Sequence, residues 1–158
     1  MEHPMRHSKV VYILIRLRMN DRDHVVIQRH RKWGDWSFVG GHVEPHEETN
    51  WDLAAARAVE EELAPLRVGR DVQLVPLDHT PSTWGPVSSR SHKGKPTVYH
   101  ARWYALQFLV DRDYGLENFD WTNLMLVEPT SSKMPALFAR FPAGISVVPD
   151  AHANVASY

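Results

Sequence analysis

The chain contains no cysteine, which excludes disulfides and thiolate metal sites. No apolar run approaches the roughly 18 residues that a membrane-spanning helix needs, so no membrane partner is expected. The opening MEHPMRHSKV has charge but no apolar segment behind it. That predicts no secretory signal and, by default, a cytoplasmic address. Excess charge of either sign is also missing: 18 lysines and arginines meet 19 aspartates and glutamates, for a net charge of −1. General nucleic-acid binding is therefore not expected. No Ser-His-Asp arrangement or dinucleotide-binding glycine fingerprint emerges, so acyl transfer and dinucleotide oxidation have no support. No repeat, low-complexity block or linker divides the chain.

What is present fits one globular domain. The 158 residues are 43% hydrophobic and 23% charged, enough for a substantial core. A single domain over residues 1–158 is expected, flexible at 1–7 and from about 150 to the end. The stretch from Trp33 to Leu66 organises it. Phe38-Val39 runs into Gly40-Gly41, where paired glycines allow positive φ and close backbone approach. An acidic loop follows. A helix is then expected from Asp52 as N-cap to Ala64, because Pro65 cannot continue it. Arg57 and Glu61 are four apart and share a face, with Glu62 one step round. An acidic helix facing a glycine turn is a place for a hard cation.

The flanking chain reads as strands. Lys9 to Met19 is a β-branched run, Asn20 to Asp23 a polar turn, and His24 to Arg29 a second strand, together a hairpin. Further strands are expected over Arg70–Leu77, Thr97–Val110 and Leu124–Val127, and a second helix over Ser132–Phe141. Asp78 to Pro96 reads as a long loop and Asp111 to Asn123 as a polar connection containing Glu117, Asp120 and Trp121. Two basic stretches could meet substrate phosphates: Arg31 and Lys32 before the Trp33–Trp36 turn, and Arg90 and Lys93, with His92 and Lys95, in the long loop. A solvated loop is the competing reading for both. Trp36, with Trp33 and Trp84, is placed in a loop where a ring could stack on a base. Trp103, alternating within a strand, reads as core. His42 and His46 lack a zinc-ligand spacing and read as surface residues.

Gly41 to Glu47 and Arg57 to Glu62 resemble the Nudix box, G-x5-E-x7-R-E-U-x-E-E-x-G-U with U a bulky aliphatic residue. GGHVEPHE meets its first half, and Arg57-Ala58-Val59-Glu60-Glu61-Glu62 meets R-x-U-x-E-E. Nine residues separate Glu47 from Arg57 where the box has seven. Ala58 stands in place of the first glutamate of R-E-U-x-E-E, Ala64 in place of the last glycine and Pro65 in place of the last aliphatic residue. The resemblance implies an α+β fold, the Nudix α/β/α sandwich with a mixed β-sheet between helices. It also implies a pyrophosphohydrolase acting on a small-molecule nucleotide with Mg2+ or Mn2+. The oligomeric state is left open, a homodimer included.

A pyrophosphate repels nucleophiles, and nearby carboxylates help only by holding divalent cations that neutralise its charge. Mg2+ takes one or two protein carboxylates and keeps several waters. Glu61 and Glu62 supply that minimum, and the resemblance implies that the Gly41 carbonyl adds another oxygen. Glu47 and Arg57 would pair as a clamp between loop and helix. In the family the glutamate absent at Ala58 binds metal or helps activate water. Glu60 cannot replace it, lying about 200° round the helix from Ala58, whereas Glu47, Glu48, Glu117, Asp120 and Glu128 are open candidates. The expected function is thus a Mg2+-dependent hydrolase of a nucleoside diphosphate linked to another moiety, with water attacking a phosphorus. The alternative is a weakened or inactive Nudix-fold module that binds or senses a nucleotide.

Overall fold

The computed structural model describes residues 5–30, 32, 34, 36–47, 50–77, 82–88 and 94–129. In chain order the first strands are β1 (Arg6–Leu14), β2 (Arg16–Met19), β3 (Arg22–Arg29) and β4 (Trp36–His42). A 3-10 turn, Pro45–Glu47, leads to helix α1 (Trp51–Glu62). Then come β5 (Val72–Pro76), β6 (Ser82–Ser88), β7 (Pro96–Phe108), helix α2 (Arg112–Glu117) and β8 (Leu124–Val127). The strands join in one mixed sheet ordered β2-β3-β4-β1-β7-β5, with β6 also on β7 and β8 also on β3. β1 runs parallel to β7, and the other pairings between these strands are antiparallel. This is the expected α+β architecture.

Strand alternation splits the apolar residues between two faces. Val11, Ile13, Val26 and Val39 point to one face, where they bury Ala54, Ala55, Ala58, Val59 and Leu63 of the α1 region. Three alanines on the buried stripe let the helix lie close on the strands. Val10, Leu14, Val25, Ile27, Phe38 and Trp103 form the core of the other face. The helix expected over Ser132–Phe141 lies outside the described residues.

Several boundaries differ from expectation for local reasons. Arg6 and His7 belong to β1, paired with Thr97 and Val98, instead of a flexible lead-in. The run Lys9–Met19 breaks at Ile15, where the chain passes from β4 and β7 to pairing with β3. Asn20 and Asp21 turn that hairpin with φ of 53° and 62°, the paired positive values of a tight two-residue turn. Asn50, not Asp52, caps α1: its side-chain oxygen accepts from the Leu53 N–H at 3.0 Å. Asp52 sits in the first turn and accepts the Tyr104 hydroxyl at 2.7 Å. The helix ends at Glu62 with Leu63 as C-cap, two residues before the expected Ala64.

Two connections contain structure that their polarity concealed. Within 78–96, Ser82–Ser88 forms β6 along β7. Within 111–123, Asp111 caps α2 by accepting the N–H groups of Asp113 and Tyr114 at 3.0 and 3.2 Å. The paired glycines are extended residues of β4 rather than a positive-φ turn. Gly40 is required by contact: a Cβ there would collide with the Val11 carbonyl oxygen.

Candidate active site

Register carries Gly41 to the helix side of the sheet. It lies opposite Val11, and a Cβ built on it would sit 3.7 Å from that of Ala58. The chain then leaves β4, held by the Val43 N–H bond to the Lys9 carbonyl at 2.9 Å. Glu47 closes the acidic loop on itself. Its carboxylate accepts the Glu44 N–H at 2.9 Å, and its own N–H reaches the Glu44 carbonyl at 2.8 Å.

The expected clamp is present, with more partners than two. Arg57 Nε donates to Glu47 Oε2 at 2.8 Å, Nη1 to Glu61 Oε2 at 3.0 Å, and Nη2 to the His42 carbonyl at 2.6 Å. One guanidinium fork thereby ties both ends of the loop to the helix. Glu47 is 1% exposed, so its charge depends on this partner. The Arg57 hydrogen bond, aided by the Glu44 N–H, holds the Glu47 carboxyl below the usual range against the opposing effect of burial. The Glu47 bond likewise raises Arg57.

A depressed folded pKa gives stability that is present above the unfolded value, about 4.3 for Glu. That stability is lost as pH falls through the folded pKa. Asp71 adds the same sign, held down by Arg70 and the Arg67 N–H. Urea unfolding between about pH 7 and pH 3 should show wild-type stability falling at the acid end. Glu47→Gln should begin less stable at neutral pH, and the gap should narrow as acid removes the wild-type charge. A constant gap would deny Glu47 this role.

The three consecutive glutamates have separate duties. Glu60 accepts the Val68 N–H at 3.2 Å and secures the chain after the helix. Glu61, with its side chain 58% exposed, is paired with Arg57. Glu62 is half-buried, and its Oε2 accepts from the Gln28 side-chain amide of β3. Ala58 is fully buried one turn earlier, on the Gly41 seam.

Most candidates for the missing carboxylate are engaged elsewhere. Glu47 is committed to Arg57, Glu128 pairs with Arg22 at 3.1 Å, and Asp120 accepts the Thr122 N–H at 3.1 Å. Glu117 ends α2, and Glu48 lies outside the described residues. No cluster of three or more His, Asp and Glu side chains forms among the described residues. The donor set nonetheless fits Mg2+, which needs few protein oxygens. The partner of Glu62 is a neutral amide, whereas that of Glu61 is the Arg57 guanidinium.

Of the proposed substrate contacts, Arg31, Arg90 and Lys93 lie outside the described residues, as does Trp33. Lys32 is exposed, its N–H bonded to His30 Nδ1 at 3.1 Å. Trp36 is not a loop ring: it opens β4 and packs on the core of the face opposite α1. Trp84 is likewise in β6, stacked on Tyr99. Trp103 is buried as expected, and the His42 and His46 side chains are exposed. Sequence reasoning missed Gln28 and the His42 carbonyl. Gln28 had a signal, because it is a neutral polar residue two places after Val26 and so on the strand face that meets the helix.

The model of the NUDIX domain matches residues 6–134. Comparison with curated proteins gives no match. Among solved structures, C. elegans Ap4A hydrolase superposes with a TM-score of 0.52 at 19% identity, over 85% of this chain and 95% of that one. Shewanella oneidensis NrtR superposes with a TM-score of 0.51 at 14% identity, over 77% of this chain and 52% of that one. At such identities these likenesses speak to the fold alone. The domain match extends from the first residues of β1 past the end of β8, and the chain belongs to the NUDIX domain family.

Proposed function

We propose that the protein hydrolyses a nucleoside diphosphate linked to another moiety, in a reaction dependent on Mg2+ or Mn2+. The observation that carries this reading is the Arg57 fork, which fixes the Gly41 strand end and the loop beside the helix bearing Glu62. A fold needing only a solvated acidic helix would have no use for a buried Glu47 held this way. The class includes dinucleoside polyphosphates, of which Ap4A in the name of the C. elegans relative is one.

Glu62, with Glu61 and the Gly41 carbonyl, would hold the cation. A bound divalent ion neutralises pyrophosphate charge and lowers the pKa of water. Arg57 and Glu47 hold the loop in register and touch no reacting atom, so theirs is a positioning role. In hydrolysis a water oxygen forms a bond to one phosphorus while the bridging P–O bond breaks. The bridging oxygen leaves with the electron pair, and the water gives up a proton to solvent. A turnover screen of ADP-ribose, nucleotide sugars, dinucleoside polyphosphates and nucleoside triphosphates with Mg2+ tests this. Hydrolysis of at least one class is expected.

Ala58 favours a second reading, a module that binds nucleotide without cleaving it. Saturable binding of a screened compound without turnover would establish that reading. Ala58→Glu separates the two further. In the metal-free protein it buries an unpaired carboxylate in the helix–β4 seam, at a cost of roughly 3 kcal/mol or more. Mn2+ should restore more thermal stability to this variant than to wild type. In an enzyme, turnover with Mg2+ should rise, and each tenfold gain corresponds to about 1.4 kcal/mol off the barrier. A binding module should gain no turnover.

A further inference from the structure

The contact between Gln28 and Glu62 joins the sheet to the helix at the candidate cation site. Gln28 follows Val26 by two residues in β3, so strand alternation gives both the same face, and Val26 is buried beneath α1. Register places Gln28 beside Ser37 of β4 and Leu124 of β8, in the interior of the sheet. A carboxylate only accepts hydrogen bonds, so the amide must turn its NH2 group toward Glu62. A neutral donor orients a carboxylate without cancelling its charge. Glu61 differs in this respect, because its partner is the Arg57 guanidinium.

We propose that Gln28 is a positioning residue for the cation: it takes one oxygen of Glu62 and so aims the other, with the charge intact, at the metal. This rests on the reading of Glu62 as the principal cation ligand. Position 58 supplies no second carboxylate from the preceding turn, which makes the orientation of Glu62 more consequential here. The β3 amide gives from the sheet side a restraint that the helix itself lacks.

Calorimetric titration of the full chain with Mn2+ tests the proposal on wild type, Glu62→Gln, Gln28→Leu and the double variant. Gln28→Leu should weaken Mn2+ binding roughly 10- to 100-fold, the usual effect of losing a partner that orients a ligand. The melting temperature of the metal-free protein should change little, which a purely structural role would not allow. The double variant should bind no more weakly than Glu62→Gln, because Gln28 acts through that carboxylate. Gln28→Met, also without a donor, provides the same readout if leucine disturbs β3. Wild-type affinity in Gln28→Leu, alongside weakened Glu62→Gln, would overturn the positioning role and leave the cation site standing. Losses that multiply in the double variant would also overturn it. Unchanged affinity in Glu62→Gln would remove the cation reading and this inference together.

Discussion

Glu62→Gln should lower Mg2+-supported hydrolysis roughly 100- to 1000-fold, about 3–4 kcal/mol of transition-state stabilisation. The substitution is nearly isosteric, and the new amide oxygen can still accept from Gln28. What disappears is charge. Glu61 cannot replace it fully, since Arg57 lies 3.0 Å from its carboxylate. Glu60 is turned to the Val68 N–H and away from the pair. The loss should therefore appear in kcat/KM with Mg2+, while the melting temperature without metal stays close to wild type. Equal hydrolysis by the two proteins would place the chemistry elsewhere.

Arg57→Ala should produce a large loss of stability. Removing the guanidinium leaves the Glu47 carboxylate, 1% exposed, with the Glu44 N–H bond and an exposed His46 ring 4.0 Å away. Leaving a buried charge without its counter-charge costs roughly 3 kcal/mol or more. Arg57 itself is partly exposed, which argues for the lower end of that range. For a domain of this size, about 3 kcal/mol corresponds to a fall of roughly 6–12 °C in melting temperature. The His42 carbonyl loses the Arg57 Nη2 donor at the same time, so the loop should exchange amide hydrogens faster. Thermal denaturation and hydrogen exchange report the two effects separately. An unchanged melting temperature would mean that the clamp contributes nothing to the fold.

The clamp was legible in the sequence because its spacing is carried by a motif and its chemistry by opposite charges. Strand β8 was legible from four apolar residues bounded by polar turns, and the first hairpin from Asn20-Asp21 between β-branched runs. Other features depend on partners distant in sequence. Asn50 and Asp52 are both good caps, and the Tyr104 hydroxyl occupies Asp52 in the fold. β6 is polar and proline-containing, and its pairing with β7 defines it as a strand. Gly40 reads as a turn glycine until the Val11 carbonyl is seen to exclude a Cβ. Trp36 reads as a loop ring until β4 is seen to begin at it, with the ring on the far core. The division of labour among Glu60, Glu61 and Glu62 was likewise invisible, because it is set by Val68, Arg57 and Gln28.

The most direct test of the cation site is the anomalous scattering map of a crystal grown with Mn2+. A peak at coordination distance from Glu62 and beside the Gly41 carbonyl is the expected result. A peak on other residues, with Glu62 still bonded only to Gln28, would contradict it.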